Sequence, residues 1–334
     1  MNALIIGGTG VISTDVVKLA LERGWDITLL NRGQRSKALP QGAHSIECDT
    51  RDEGAMQKAL SGKYFDVVAN FIGYLPEQLE QDIRLFSGKC GQYIFISTCC
   101  VYQKPDGSYL TTESTPLRNI NSLYGQRKIA SEETLYHAYR EKDFPITIVR
   151  PNWTYNITTI PFIMSSWRQP WTLIDRLEKG LPIIIAGDGT NRFTITHAAD
   201  FAQGFVGLMG NQHAIGHAFH ITGEEALSWN QYLEIIEKIT GYKANVIHIA
   251  SDFIVKVIPT LHDDLLGDKT VNFLFDNTKI RQFVPGFAAK IPYAQGVRAS
   301  IEYLKARKEL QTIDTEYTAN IDKVLAAYAP VLKV

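Results

Sequence analysis

The sequence predicts an α/β protein: a doubly wound parallel sheet with helices on both faces and a smaller C-terminal lobe. Three observations carry this. A short apolar run, Ala3–Ile6, breaks into Gly7-Gly8-Thr9-Gly10 and then a helical pattern, which reads as strand, tight glycine turn and helix. Strand-like and helix-like segments then alternate through the first half of the chain, as parallel strands joined by helical crossovers require. After Pro151 the alternation lapses, and residues 155–190 are rich in Pro, Trp and isolated apolar side chains, as in a lobe closing over a site.

The first helix runs from about Val11 to Arg23. Asp26–Leu30 reads as the second strand, Ser45–Cys48 as the third, and Met56–Leu60 belongs to a short helix. Asp66–Ile72 is a buried fourth strand, Glu77–Phe86 a helix, and Gln92–Ser97 a fifth strand. Ser122–Lys142 is a long helix with an apolar stripe of Ile129, Leu135 and Tyr136, followed by a sixth strand at Ile146–Arg150. Phe201–Met209 is helical, Ala218–Ile221 rejoins the sheet, and Trp229–Thr240 is an amphipathic helix. Helices around 295–308 and 315–328 end the chain. Residues 1–154 with 192–225 form the expected sheet domain, and 155–191 with 226–334 the substrate lobe.

The chain has 334 residues, 45% of them hydrophobic and 21% charged, as in an ordinary soluble globular protein. A formal net charge of −1 argues against a nucleic-acid partner gripped by a broad basic surface. The four cysteines form no CxxC pair, and no early apolar segment precedes a cleavage site. No apolar stretch approaches a membrane span, so the expected setting is a reducing cytoplasm without a membrane partner.

The glycine turn lets backbone N–H groups approach a pyrophosphate at the positive end of the helix, a Rossmann-like arrangement. Gly7, Thr9, Gly10, Val11 and Ile12 are therefore expected to hold a dinucleotide, with Ser13 a small substitute for the usual third glycine. Strand two ends in Asn31 and Arg32, followed by Arg35 and Lys37. NAD-specific folds usually place an acid there, whereas a guanidinium can pair with a 2′-phosphate, so NADP is expected over NAD. Tyr124 and Lys128, four apart on a helix, share a face, and a nearby ammonium lowers a phenol's pKa. Ser97 or Thr98, at the carboxyl end of strand five, sits where such folds bind ligands.

Together these segments resemble the extended short-chain dehydrogenase/reductase superfamily, of the NAD-dependent epimerase/dehydratase type, over nearly the whole chain. The resemblance implies hydride transfer through NADP or NAD at a hydroxyl or keto carbon of a sugar, sugar nucleotide or similar small molecule. Tyr124 would be the acid/base, Lys128 would tune it and hold the ribose, and Thr98 would orient the substrate oxygen. Asp49, in Asp49-Thr50-Arg51-Asp52, matches an acidic step near the adenine. Arg150-Pro151-Asn152 resembles the segment after strand six that serves the nicotinamide and substrate sides. Asn70, Phe71 and Pro151 complete the expected cofactor contacts, and Tyr74, Asn152, Trp153 and Arg192 the substrate contacts. Gly187-Asp188-Gly189, His197 and Asp200 match a further family stretch. Extended relatives commonly dimerise through two helices, here Glu77–Phe86 and Ser122–Lys142, so a homodimer is expected.

Four departures stand out. Cys99 and Cys100 replace the Asp–Glu pair of sugar-nucleotide dehydratases, which argues against water elimination by that route, and both read as small core residues. Phe193 stands where many epimerases carry a diphosphate-binding arginine, with Arg192 one residue off. Tyr155-Asn156 lacks the usual Tyr-Gly-Pro step, and Ser13 is the fourth departure. His217 and His220 have HxxH spacing without a carboxylate set, so no metal is expected. Trp153, Tyr155, Phe162, Trp167 and Trp171 read equally as lobe core or as a platform for a sugar ring. The alternative function is a non-catalytic NAD(P)-binding protein, RNA-binding or redox-sensing, which the intact Tyr–Lys pair disfavours.

Overall fold

A computed structural model describes residues 1–32, 39–105 and 107–330. Arg35 and Lys37 lie outside the described residues. Seven strands form the central sheet: β1 (Asn2–Ile6), β2 (Asp26–Asn31), β3 (His44–Glu47), β4 (Val67–Asn70), β5 (Tyr93–Ile96), β6 (Ile146–Pro151) and β7 (Ala218–Ile221). Their order is β7-β6-β5-β4-β1-β2-β3, with every pairing parallel. The order reverses at β1, and the carboxyl ends of β1 and β4 flank the crevice where such sheets bind ligands.

The central strands are apolar along both faces because both are covered. Ala3 and Ile5 of β1 pack with Val16 of α1 (Ser13–Glu22) on one side of the sheet, where Phe201 and Phe205 also join. Leu4 and Ile6 face the other way, into a cluster with Met56 of α2 (Glu53–Ala59), Leu79 of α3 (Pro76–Phe86) and Leu135 of α4 (Leu123–Lys142). A third cluster joins Leu173 of α5 (Trp171–Glu178) and Trp229 and Tyr232 of α7 (Trp229–Thr240), from the expected second lobe, to Phe193, from the stretch expected to return to the sheet domain. The helix between these two, α6 (Ala198–Leu208), carries Phe201 and Phe205.

Differences from the sequence reading have local causes. β4 stops at Asn70 rather than Ile72 because the Asn70 side-chain oxygen accepts the N–H groups of Ile72 (2.9 Å) and Gly73 (2.7 Å) and turns the chain. α6 begins at Ala198 rather than Phe201 because the His197 ring nitrogen Nδ1 accepts the Ala199 N–H at 3.2 Å, capping an earlier start. Small strand pairs lie outside the central sheet, Pro182–Ala186 with Asn245–Ile249 and Arg192–Thr194 with Ala226–Ser228. Each strand has five residues or fewer, too short to impose a visible alternation. Among the described residues no helix is long and apolar enough to cross a membrane.

Candidate active site

The glycine turn is built for close approach. Gly7 has φ +83°, and a Cβ there would lie 2.4 Å from Ile72 Cγ2. At Gly8 a Cβ would lie 2.6 Å from Leu29 Cδ2. The Ser13 hydroxyl accepts the Gly10 N–H at 2.9 Å and donates to the Gly7 carbonyl at 2.8 Å. Ser13 thus closes the turn with a clasp that a glycine could not make. The start of α1 follows directly, and its free N–H groups and dipole favour an anion here.

A cavity of about 460 Å³ opens from this turn, lined by Gly7, Thr9, Gly10, Asn31, Arg32 and Asp49 among others. Asp49 accepts hydrogen bonds from Arg51 Nε (3.0 Å) and Nη2 (2.5 Å), which hold its carboxyl well below the usual carboxylate range. Arg32, exposed at the rim, adds its positive charge to the same effect. The Val11 carbonyl accepts the Asn156 amide at 3.1 Å and so ties the turn to the second lobe.

A larger cavity of about 880 Å³ lies at the ends of β5 and β6, and its wall includes Thr98, Tyr124, Lys128, Pro151, Asn152 and Trp153. Ile12 and Phe71 line it from the dinucleotide side. Thr98 caps a short 3₁₀ turn, Cys99–Val101, by accepting the Cys100 N–H at 3.1 Å. Tyr124 is 39% exposed as a residue. Its hydroxyl end is enclosed and hydrogen-bonds with Thr98; burial pushes the phenol pKa up, against that bond's lowering. Tyr74 stacks behind Tyr124, with ring centroids 5.6 Å apart and planes 19° apart, rather than lining the cavity.

The Lys128 ammonium donates to the carbonyls of Gly73 (2.7 Å) and Ile96 (2.6 Å) and lies 6.0 Å from the Tyr124 ring centre. Burial pulls its pKa down to about 7, and Glu132 opposes that shift. The sequence reading set this ammonium on the same helix face as the phenol, near it and near the cofactor ribose; its bonds go to the Ile96 carbonyl at the end of β5 and to Gly73 in the turn after β4. Ser97, 2% exposed, lines the same wall, and its hydroxyl finds no partner among the described residues.

Other expected residues divide. The Asn152 amide donates to the Thr194 carbonyl at 2.5 Å, which fixes it in the cavity wall. Asn70 is consumed by the fold, since its amide donates to Asp82 at 2.6 Å while its oxygen holds the turn after β4. Arg192 stands outside the cavity: strand alternation sends Phe193 into the core and leaves Arg192 exposed. The vicinal cysteines also part. Cys99 is core, its thiol donating to the Arg150 carbonyl at 3.2 Å, whereas Cys100 lines the cavity with its thiol pushed up to about 12, chiefly by burial. Of the aromatic set, Tyr155, Phe162 and Trp171 are buried core, while Trp153 and the 69%-exposed Trp167 face the cavity.

His220 hydrogen-bonds Tyr102 (3.2 Å) and the Asp276 carbonyl (2.7 Å), and His217 packs on Phe219 and Phe283. Sequence reasoning missed Arg168, Asp263, Asp264, Asp268, Lys269 and Asp314, all of which line the larger cavity. They come from the second lobe, far along the chain, and carry no local pattern. Lys269 stands over the Trp153 ring at 3.9 Å, and Asp268 pairs with the buried Lys104 beside Cys100.

A family model for the NAD dependent epimerase/dehydratase family matches residues 3–222. The chloroplast stem-loop binding protein of 41 kDa b from Arabidopsis thaliana is 25% identical over 259 residues, 73% of this chain and 65% of that protein. The 2′-dehydrokanamycin reductase of Streptomyces kanamyceticus is 20% identical over 253 residues, 76% of this chain and 70% of that protein. Among solved structures, an epimerase from Methanothermobacter thermautotrophicus superposes with TM-score 0.76 at 14% identity, covering 93% of this chain and 94% of its own. UDP-glucuronic acid 4-epimerase from Bacillus cereus, in complex with UDP-glucuronic acid and NAD, does so with TM-score 0.73 at 21% identity, covering 92% and 99%. At these identities the superpositions establish a shared fold.

Proposed function

The chain belongs to the NAD dependent epimerase/dehydratase family, and from that premise we propose that it acts on a hydroxyl or keto carbon of a sugar-type small molecule, as a reductase or epimerase. One observation carries this reading: Thr98, Tyr124 and Lys128 share one wall of a cavity that adjoins the glycine-turn cleft. The residues fit a dinucleotide. Gly7, at φ +83°, and Gly10, where a Cβ would meet only Ser13 Oγ at 3.3 Å, bare their backbone to the cleft, and the buried Ser97 hydroxyl has no partner among the described residues. Gly7, Thr9, Gly10 and the start of α1 would hold the pyrophosphate, Asn31, Arg32 and Asp49 the adenosine end, and Lys128 the nicotinamide ribose. A bound nicotinamide supplies or accepts the hydride.

In reduction, Thr98 fixes the substrate oxygen, Tyr124 Oη–H donates a proton to it, and Lys128 offsets the negative charge left on the phenol. We assign NADP on the strength of Arg32 and the missing acid at Asn31. A free or lightly substituted sugar is favoured over a nucleotide-linked one. The cavity wall carries Asp263, Asp264, Asp268, Asp314 and Glu316, while Arg192 stands outside it. A diphosphate would lack the Arg192 contact there, and it would meet Asp263, Asp314 and Glu316 beside Arg168, with Asp264 paired to Lys269 and Asp268 to Lys104.

The second lobe, 155–191 with 226–334, is assigned the substrate. Four unpaired thiols suit a reducing cytoplasm, and a homodimer through α3 and α4 is the assembly we propose. Following absorbance at the nicotinamide band across free sugars, amino sugars and sugar nucleotides tests the function. Cofactor oxidation with a free sugar ketone supports a reductase, epimer formation without net cofactor change, read by NMR, supports an epimerase, and silence in both assays across all three classes, with cofactor binding intact, refutes the function. A monomer mass by light scattering at every concentration would refute the dimer.

A further inference from the structure

We propose that Asp263, in the second lobe, is a positioning residue for Tyr124, so that the segment over the substrate cavity also sets where the acid/base stands. The inference rests on the function proposed above. The first N–H groups of a helix have no partner inside it. At the start of α4 two of them are met in a relay. Ser122 Oγ accepts the Gly125 N–H at 2.9 Å and donates to Asp263 Oδ1 at 2.5 Å. Asp263 Oδ2 accepts the backbone N–H of Tyr124 itself at 3.0 Å. One carboxylate therefore grips the capping residue and the reacting residue, 141 and 139 positions away, at the helix end where negative charge is favoured.

The surrounding packing leaves little slack. A Cβ on Gly267 would lie 2.7 Å from the Asn121 carbonyl and 2.9 Å from Ser122 Cβ, and one on Gly125 would lie 2.4 Å from the Cys100 carbonyl. The Asn119 amide donates to the carbonyls of both Gly267 (2.7 Å) and Cys100 (2.8 Å). Segment 263–268, the turn before α4 and the Thr98–Cys100 strand end are thus locked together. The same segment lines the cavity with Asp263, Asp264 and Asp268. A substrate touching it presses on the peptide that carries Tyr124. Without the Asp263 grip the first turn of α4 is free to fray, and the phenol moves away from Thr98 and the reacting oxygen.

The test is steady-state kinetics on Asp263→Ala and Asp263→Asn, with Ser228→Ala as control. Ser228 caps α7 in the same way, its hydroxyl accepting the Gln231 N–H at 3.2 Å, and lies away from the cavity. A misplacement of about 1 Å costs on the order of 10²-fold in rate. Asp263→Ala is expected to lower kcat by roughly that factor, with cofactor Kd unchanged. Asp263→Asn, which keeps one accepting oxygen, should fall between, and Ser228→Ala should lose stability while keeping kcat. A near-normal kcat in folded Asp263→Ala, or an equal loss in Ser228→Ala, overturns the proposal.

Hydrogen exchange gives a reading that does not depend on turnover. Amides 124–126 should lose protection in Asp263→Asn relative to the middle of α4, and unchanged protection overturns the inference. A wild-type protein inert toward every sugar class would instead count against the function, with the exchange result standing on its own.

Discussion

Arg150 and Glu132 form a fork-to-fork ion pair, Nε to Oε1 at 2.9 Å and Nη2 to Oε2 at 2.5 Å, with both residues almost wholly buried. Arg150 Nη1 also donates to the Tyr102 hydroxyl at 3.2 Å. The pair ties α4 to the end of β6, one residue before Pro151 enters the cavity wall. Removing one partner leaves a buried charge uncompensated, which costs about 3–5 kcal/mol. Glu132→Ala should lose that much in urea unfolding, and Glu132→Ala with Arg150→Met should recover most of it. A single-mutant loss under about 1 kcal/mol would show the pair to be dispensable.

Tyr124→Phe keeps the ring and its stack on Tyr74 while deleting the transferable proton. General acid–base steps contribute roughly 10²–10⁴-fold. Turnover should fall within that range while cofactor affinity, read by calorimetry, stays nearly unchanged. Retention of more than a few per cent of the wild-type rate would remove Tyr124 from its role.

The sheet and the cleft at the glycine turn were legible because their signals are local. The glycine turn sits within a few residues, and the Tyr–Lys pair is one helical turn. Strand positions followed from apolar runs, missing by a residue or two where side chains intervened, as Asn70 did in ending β4. The substrate side was not legible. Asp263 and Asp268 reach the cavity through a short helix, His262–Asp264, and a π-helical turn, Leu265–Lys269, which have no periodicity to read. Arg192, expected at the substrate, is the exposed residue of a three-residue strand and lies outside the cavity, while Phe193 beside it is buried. The split roles of Cys99 and Cys100 depend on a 3₁₀ turn capped by Thr98, again invisible to pattern.

Lys128 makes stability and rate respond to pH in opposite directions. Burial pulls its pKa down to about 7 from the ordinary lysine range. Below that point both folded and unfolded chains carry the proton and the burial cost is felt in full. Above it the folded chain releases the proton and the unfolded chain keeps it, so stability rises by up to about 1.4 kcal/mol per pH unit from this group. The cofactor-free protein should therefore gain stability between pH 7 and 9 relative to Lys128→Met, measured by urea unfolding. Reduction needs the ammonium, so its rate should fall across the same interval. Parallel stability profiles for the two proteins would contradict the assignment.

The proposed preference for NADP turns on Arg32. At the end of β2 there is no acid to repel a 2′-phosphate: Asn31 occupies that place and Arg32 follows it on the rim of the cleft. The nearest acid in the cleft wall, Asp49, is engaged by Arg51 at 2.5 Å, so its charge is already compensated. A phosphate arriving there meets the Arg32 guanidinium, which can pair with it by charge-assisted bonds. Hydrogen bonds to charged groups contribute roughly 1.5–3 kcal/mol, which corresponds to about a ten- to hundred-fold preference for NADP over NAD. Arg32→Ala should erase most of that preference and leave NAD affinity unchanged. Because the pairing is exposed, raising the salt concentration should narrow the wild-type preference as well. Equal wild-type affinities for the two dinucleotides by calorimetry would defeat the assignment, and a preference insensitive to both salt and Arg32→Ala would place its origin elsewhere in the cleft.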